Sequence, residues 1–126
     1  MLNDELFPEI ESGIIDLGWT KIKTVKRTEV SACITSIEVG TNCPRGGDAG
    51  HGGRTIIRLV DEGGTSMSVR IKPAYSGKLE EGREIPVDSI EIIFGGDAEA
   101  EVIAQLLKFA GETLERQLWL NELGIK

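Results

Sequence analysis

The chain has 126 residues, a hydrophobic share of 40%, a charged share of 28% and a formal net charge of −7. That length supports one domain with a real core, and recurring aliphatic runs exclude a disordered chain. The acidity argues against long nucleic acid, whose phosphates need clustered Lys and Arg, and no apolar stretch reaches the ~20 residues of a membrane span.

The opening "MLNDELFPEIES" is acidic and lacks the basic-then-apolar order of a signal peptide. Two cysteines, Cys33 and Cys43, do not make a disulfide framework, so they read as free thiols in a reducing cytoplasm. Residues 1–12 read as an arm, 13–94 as an antiparallel sheet of five to six strands, and 97–123 as a long or broken C-terminal helix. The whole of 1–126 is thus a single α+β domain.

In chain order, "GWTKIKTV" and "EVSACITSIEV" are rich in Thr, Val and Ile, which suit a pleated surface. In the second, Val30, Ala32 and Ile34 share one parity, and Ile37 and Val39 the other. That switch predicts a bulge or a strand buried on both faces. "RTIIRLVD" and "TSMSVRIK", separated by Glu62-Gly63-Gly64, predict a tight hairpin, with Met67, Val69 and Ile71 inward. Residues 73–86 form a long connection that carries the one tyrosine, Tyr75. "VDSIEIIF" is a further strand, with Ile90, Ile92 and Phe94 on one face.

Beyond Gly95-Gly96 the period becomes helical, with Ile103, Leu107, Ala110, Leu114 and Leu118 at spacings of three and four. Asp97 is the expected N-cap and Gly124 the expected residue past the C-cap. Gly111 marks a kink, a split or a close crossing. Val102, Leu106 and Phe109 add a second apolar row. Two rows on one helix predict a homodimer or higher homo-oligomer through the C-terminal helices, the alternative being a sheet that wraps the helix.

The unusual stretch is "NCPRGGDAGHGGRT", with five glycines between Gly46 and Gly53 and the chain's one histidine, His51. A P-loop fails here, because Asp48 stands where the first glycine belongs, Arg54 replaces Lys, and a strand follows. The dinucleotide fingerprint fails too, with Thr55 in its third glycine position. "GGDAGHGG" imitates the nucleophile loop of serine proteases, but Ala49 fills the serine position and no histidine precedes it. Cys43, Asp48 and His51 are few for zinc, and Asp61, Glu62, Asp88 and Glu91 match no cation loop. No metal, cofactor or catalytic set is expected.

Two readings remain. The stretch is either a glycine-rich connection with Asp48 and His51 as turn residues, or a cradle for an anion. In the second, the amides of Gly46, Gly47, Gly52 and Gly53 form a nest of donors, which bare backbone lets a phosphate approach. Arg45 and Arg54 close on it with forked hydrogen bonds. Asp48 holds a ribose hydroxyl or orients Arg54, and His51 and Tyr75 meet base or ribose.

The segment "EVGTNCPRGGDAGHGGRT", the strand with Arg58 and the "DEGGTSMSVRI" stretch resemble small proteins of bacteriophages and prophages. The layout is similar to the phage anti-Thoeris sponges, which sequester cyclic ADP-ribose-type immune signals. The resemblance implies an antiparallel N-terminal sheet, C-terminal helices, and dimers or higher oligomers. It also implies a small cyclic nucleotide as ligand, cyclic oligonucleotides included, but assigns no binding residue. The expectation is a non-enzymatic anti-defence binder in the host cytoplasm. The competing expectations are a nucleotide hydrolase or phosphodiesterase using His51, with Asp48 orienting it, and a structural or protein-binding phage component.

Overall fold

The structure, a computed structural model, describes residues 9–43 and 53–124. The strands are β1 (Glu9–Asp16), β2 (Lys21–Val30), β3 (Ile34–Thr41), β4 (Thr55–Gly63), β5 (Met67–Pro73) and β6 (Val87–Phe94). One helix, α1 (Gly96–Glu122), follows. The α+β layout is as read from the sequence, but the strands form two sheets. β1-β2-β3-β4 is an antiparallel meander, and β5-β6 is a separate pair. No described helix is long and apolar enough to cross a membrane.

The expected hairpin across Glu62-Gly63-Gly64 does not form, since β4 pairs with β3 and β5 with β6. Gly64, at φ +70°, instead turns the chain out of the first sheet. The next residue fixes that corner. Thr65 donates its amide to Asp61 Oδ1 at 3.1 Å and its hydroxyl to Ile34 O at 3.0 Å. The Gly-Gly pair supplies the turn; the bonds of Thr65 to β3 and β4 decide where it leads.

Two other expectations move. Glu9–Ser12, read as the end of an arm, begin β1 opposite Thr28 to Val25. "EVSACITSIEV" is divided by Ser31–Cys33 into the end of β2 and the start of β3. β3 itself is buried on both faces, as the parity switch suggested.

On one face Ile37 and Val39 meet Val102, Leu106 and Ala110 of α1, with Cys33 beside them. Arg27, opposite Ile37, lies 5.8 Å from the Phe109 ring centroid. On the other face Ile15 and Ile22 pair and are buried. Gly40 lies so close to β2 that a Cβ there would collide with the Lys23 carbonyl. The same face carries Glu38, held by the Thr24 hydroxyl and by Arg58 at 3.5 Å. It also carries Glu62, held by Ser36 at 2.8 Å and Lys26 at 3.2 Å. The Ser36 hydroxyl and the Lys26 ammonium keep the Glu62 carboxyl below its ordinary range, and Glu62 raises Lys26 in return.

α1 is continuous through Gly111 and about 40 Å long at 1.5 Å per residue. Its N-cap is Gly95, not Asp97, and no side chain bonds there as a cap. Glu99 does the work of the missing cap. Its Oε1 accepts the Gly95 amide at 2.8 Å and its Oε2 the Ser66 amide at 2.7 Å. One carboxylate thus ties both ends of the β5–β6 pair to the helix start.

Those two amides hold the Glu99 carboxyl below its ordinary 4.5. A depressed carboxyl stabilises the fold above its unfolded value, and that stability is lost as pH falls through the folded value. Glu99→Gln should therefore melt earlier at neutral pH and lose part of the fall in Tm below about pH 4.5, read by thermal melts across pH. Gly40→Ala should cost about 1–3 kcal/mol by urea titration, because β2 and β3 must part to admit the methyl.

Candidate functional site: the root of the glycine loop

β3 and β4 deliver the two ends of the glycine stretch to one place. Thr41 and Thr55 are the last ladder pair, and the Thr55 hydroxyl donates to that of Thr41 at 2.8 Å. Beyond them the Asn42 amide donates to Arg54 O at 3.2 Å, and the Arg54 amide to Asn42 Oδ1 at 2.7 Å. The Cys43 amide turns back to the Thr41 hydroxyl at 3.1 Å. Gly53 packs close here: a Cβ in its place would stand 2.6 Å from Cys43 Sγ, and that thiol would have to turn aside.

The far end of α1 holds the same place. Gln117 accepts the Thr41 amide at 2.8 Å and donates to Lys23 O at 3.2 Å. Asn121, one turn on, donates to Thr41 O at 3.1 Å and Cys43 O at 3.0 Å. The backbone where the ladder stops is thus bonded by two amide side chains, which answers the demand that strand-end polar groups find partners.

A third element meets the root from the β1–β2 turn. The Gly18 amide donates to Asp16 Oδ1 at 2.7 Å, with Gly18 at φ +98°, and the Leu17 amide to Thr20 O at 2.8 Å. This turn projects Trp19. The Arg54 guanidinium lies 4.7 Å from the Trp19 ring centroid, and Nη1 donates to Gly53 O at 2.8 Å. Asn42 Nδ2 reaches the Thr20 hydroxyl at 3.3 Å. Both Arg54 and Trp19 remain open to solvent, Trp19 at 58%.

Of the residues singled out in the sequence, Gly53 and Arg54 sit at this root. Tyr75 does not. It is 68% exposed and lines a depression of about 320 Å³ formed by residues 73–86. Arg45, Gly46, Gly47, Asp48, His51 and Gly52 lie outside the described residues. Among the described residues no three His, Cys, Asp or Glu side chains converge as a metal site. Cys33 and Cys43 are both free thiols.

The sequence reading missed Trp19, Asn42, Gln117 and Asn121. Asp16-Leu17-Gly18 is an Asx-turn signature that places Trp19 at a tip, where an aromatic is unusual. Gln117 and Asn121, four apart on the helix, share a face with the core residue Ala110 and were signalled by that spacing alone. No family model, no curated protein and no solved structure matches the chain.

Asn121→Ala removes both bonds to the carbonyls of Thr41 and Cys43. At about 0.5–1.5 kcal/mol per bond, the cost should be on the order of 1–3 kcal/mol. Hydrogen exchange should show faster amides at Asn42, Cys43 and Arg54, with β1–β2 unchanged.

Proposed function

We propose that this chain binds a small anionic nucleotide at the root of the glycine loop and holds it without cleaving it. The observation that carries the reading is the exposed Arg54 guanidinium set on the Trp19 ring at that root. Arg54 spends one donor nitrogen on Gly53 O. Among the described residues it has no other side-chain hydrogen bond, so its remaining N–H groups can fork onto a phosphate, and stacking on the indole fixes their plane beforehand. Desolvating an arginine that already lies on an aromatic ring costs less than ordering a free one. Trp19 adds an open aromatic surface, which accepts any base by stacking.

Among the neighbouring side chains, Thr20, Thr41, Asn42 and Thr55 are suited to hydrogen-bonding a ligand rather than to moving protons. Proton transfer would fall to His51, the basis of the competing hydrolase reading. Sequestration of a cyclic ADP-ribose-type or cyclic di- or trinucleotide signal, in a phage anti-defence role, is the specific form of the proposal. It rests on the resemblance of the glycine segment and on this chemistry together.

At a hundredfold excess over Kd, a single site adds roughly 2.7 kcal/mol, a rise in Tm of about 10 °C. We expect that shift with a cyclic ADP-ribose isomer or a cyclic oligonucleotide, and the same compound recovered intact after heating. Arg54→Ala should weaken binding by about 100-fold and Trp19→Ala by about tenfold, roughly 2.8 and 1.4 kcal/mol, with apo Tm within a few degrees of wild type. Recovery of a cleaved product would establish the hydrolase instead. Unchanged affinity in Arg54→Ala would move the site elsewhere.

A further inference from the structure

The register of β5–β6 sorts its side chains by polarity. Met67 lies opposite Phe94, Val69 opposite Ile92 and Ile71 opposite Ile90, so six apolar residues face one way. Facing the other way are Ser68 with Ile93, Arg70 with Glu91 and Lys72 with Ser89, with Arg70 and Glu91 3.7 Å apart. A sheet patterned like this packs its apolar face and wets the other. Here the apolar face is open. Val69 is 50% exposed, Ile90 57% and Ile92 44%. The pair has no extensive contact with the four-stranded sheet or with α1, and is fixed at its base through Thr65 and Glu99. A two-stranded hairpin standing alone in water is marginal.

α1 carries a second apolar surface, open at Ala100, Ala104, Leu107 and Gly111 and half-buried at Leu114, which also packs on the core, and at Leu118. Ala100, Ala104, Leu107, Gly111, Leu114 and Leu118 recur at alternating spacings of four and three, the period of a seam between packed helical surfaces. This seam lies roughly a third of a turn round the helix from the row on the sheet. Leu107 is 56% exposed, and a Cβ at Gly111 would meet nothing within 4 Å.

We propose that a second copy of this chain closes both surfaces, in a twofold dimer where the hairpin face of each copy lies on the helix flank of the other. One chain carries both surfaces and leaves both open, so two chains satisfy each other reciprocally and the assembly closes at two. Neither surface bears a charge, so chains of net charge −7 meet without burying like charges. The branched side chains of the hairpin find room over Ala100, Ala104 and Gly111, where the helix is thin. Twelve apolar residues from each copy supply the core of the contact, about half of the 20–30 residues a side that a standard interface holds. A sheet laid on a helix is also the packing that the first sheet already uses.

Light scattering of the eluting wild-type protein should give twice the 13.7 kDa of one chain. Ile92→Lys on the hairpin and Leu107→Glu on the flank should each give monomers. Mixed together, the two variants should dimerise, because one contact then pairs Lys with Glu and the other is wild type. Recovery in the mixture also shows that both variants are folded. Ser68→Lys, on the polar face, should remain a dimer. A monomeric wild type would overturn the proposal and leave the two surfaces to a different protein. Variants that stay dimeric, or a mixture that stays monomeric, would overturn the hairpin-on-flank arrangement.

Discussion

The carboxylate of Glu99 is the junction on which the second half of the fold depends. A strand pair and a helix that follow one another in sequence have no inherent relative orientation. Glu99 sets it by accepting one amide from the residue before β5 and one from the residue after β6. Both ends of the hairpin are thereby placed on the first turn of α1. The negative charge sits where the helix dipole favours it, and it replaces an N-cap side chain that glycine cannot offer. Thr65 completes the junction from the sheet side through Ile34 and Asp61. The direction in which the open apolar face points is therefore decided by a handful of polar bonds, not by burial.

At the other end of α1 the arrangement is repeated with amides in place of a carboxylate. Gln117 and Asn121 hold the last residues of β3, and through them the entrance and exit of the glycine loop. The core residues Val102, Leu106 and Ala110 lie between the two junctions and clamp the helix to β3. The helix is thus a strut with a polar joint at each end. One joint positions the hairpin and the other the end of β3, on which Arg54 is held through Asn42. The strand end beside Arg54 and the open face of the hairpin are thus set at opposite ends of the same element.

The elements were legible in the sequence because each carries its own period: two for Met67 to Ile71 and Ile90 to Phe94, and three to four from Val102 to Leu118. The partners of those elements were less so. Gly63-Gly64 announces a turn equally well whether the flanking strands pair or part, and only Thr65, bonding to β3, separates the cases. Asp97 looks like a cap because capping residues are recognised by type, whereas the bonds are made two residues on by Glu99. Within the site, Arg54 was legible as a binding type of residue beside glycines. Trp19 was not, because its contact with Arg54 joins positions 35 residues apart through a turn whose direction no local pattern states. Tyr75 was grouped with the loop by chemistry alone, and its chain segment runs elsewhere.

Helices open from their ends, and the last turn of α1 is where the backbone exchanges with solvent most readily. Asn121 sits in that turn. Whenever the turn unwinds, the carbonyls of Thr41 and Cys43 lose the Asn121 amide, and Gln117 and the Asn42–Arg54 bonds are left to hold the root. The residues that resist unwinding are the two that close the end, where the Leu123 amide bonds to Trp119 O and the Gly124 amide to Asn121 O. Gly124, at φ +77°, makes that closure without strain. Gly124, at the end of the described chain, thereby helps keep Asn121 in place beside Thr41 and Cys43.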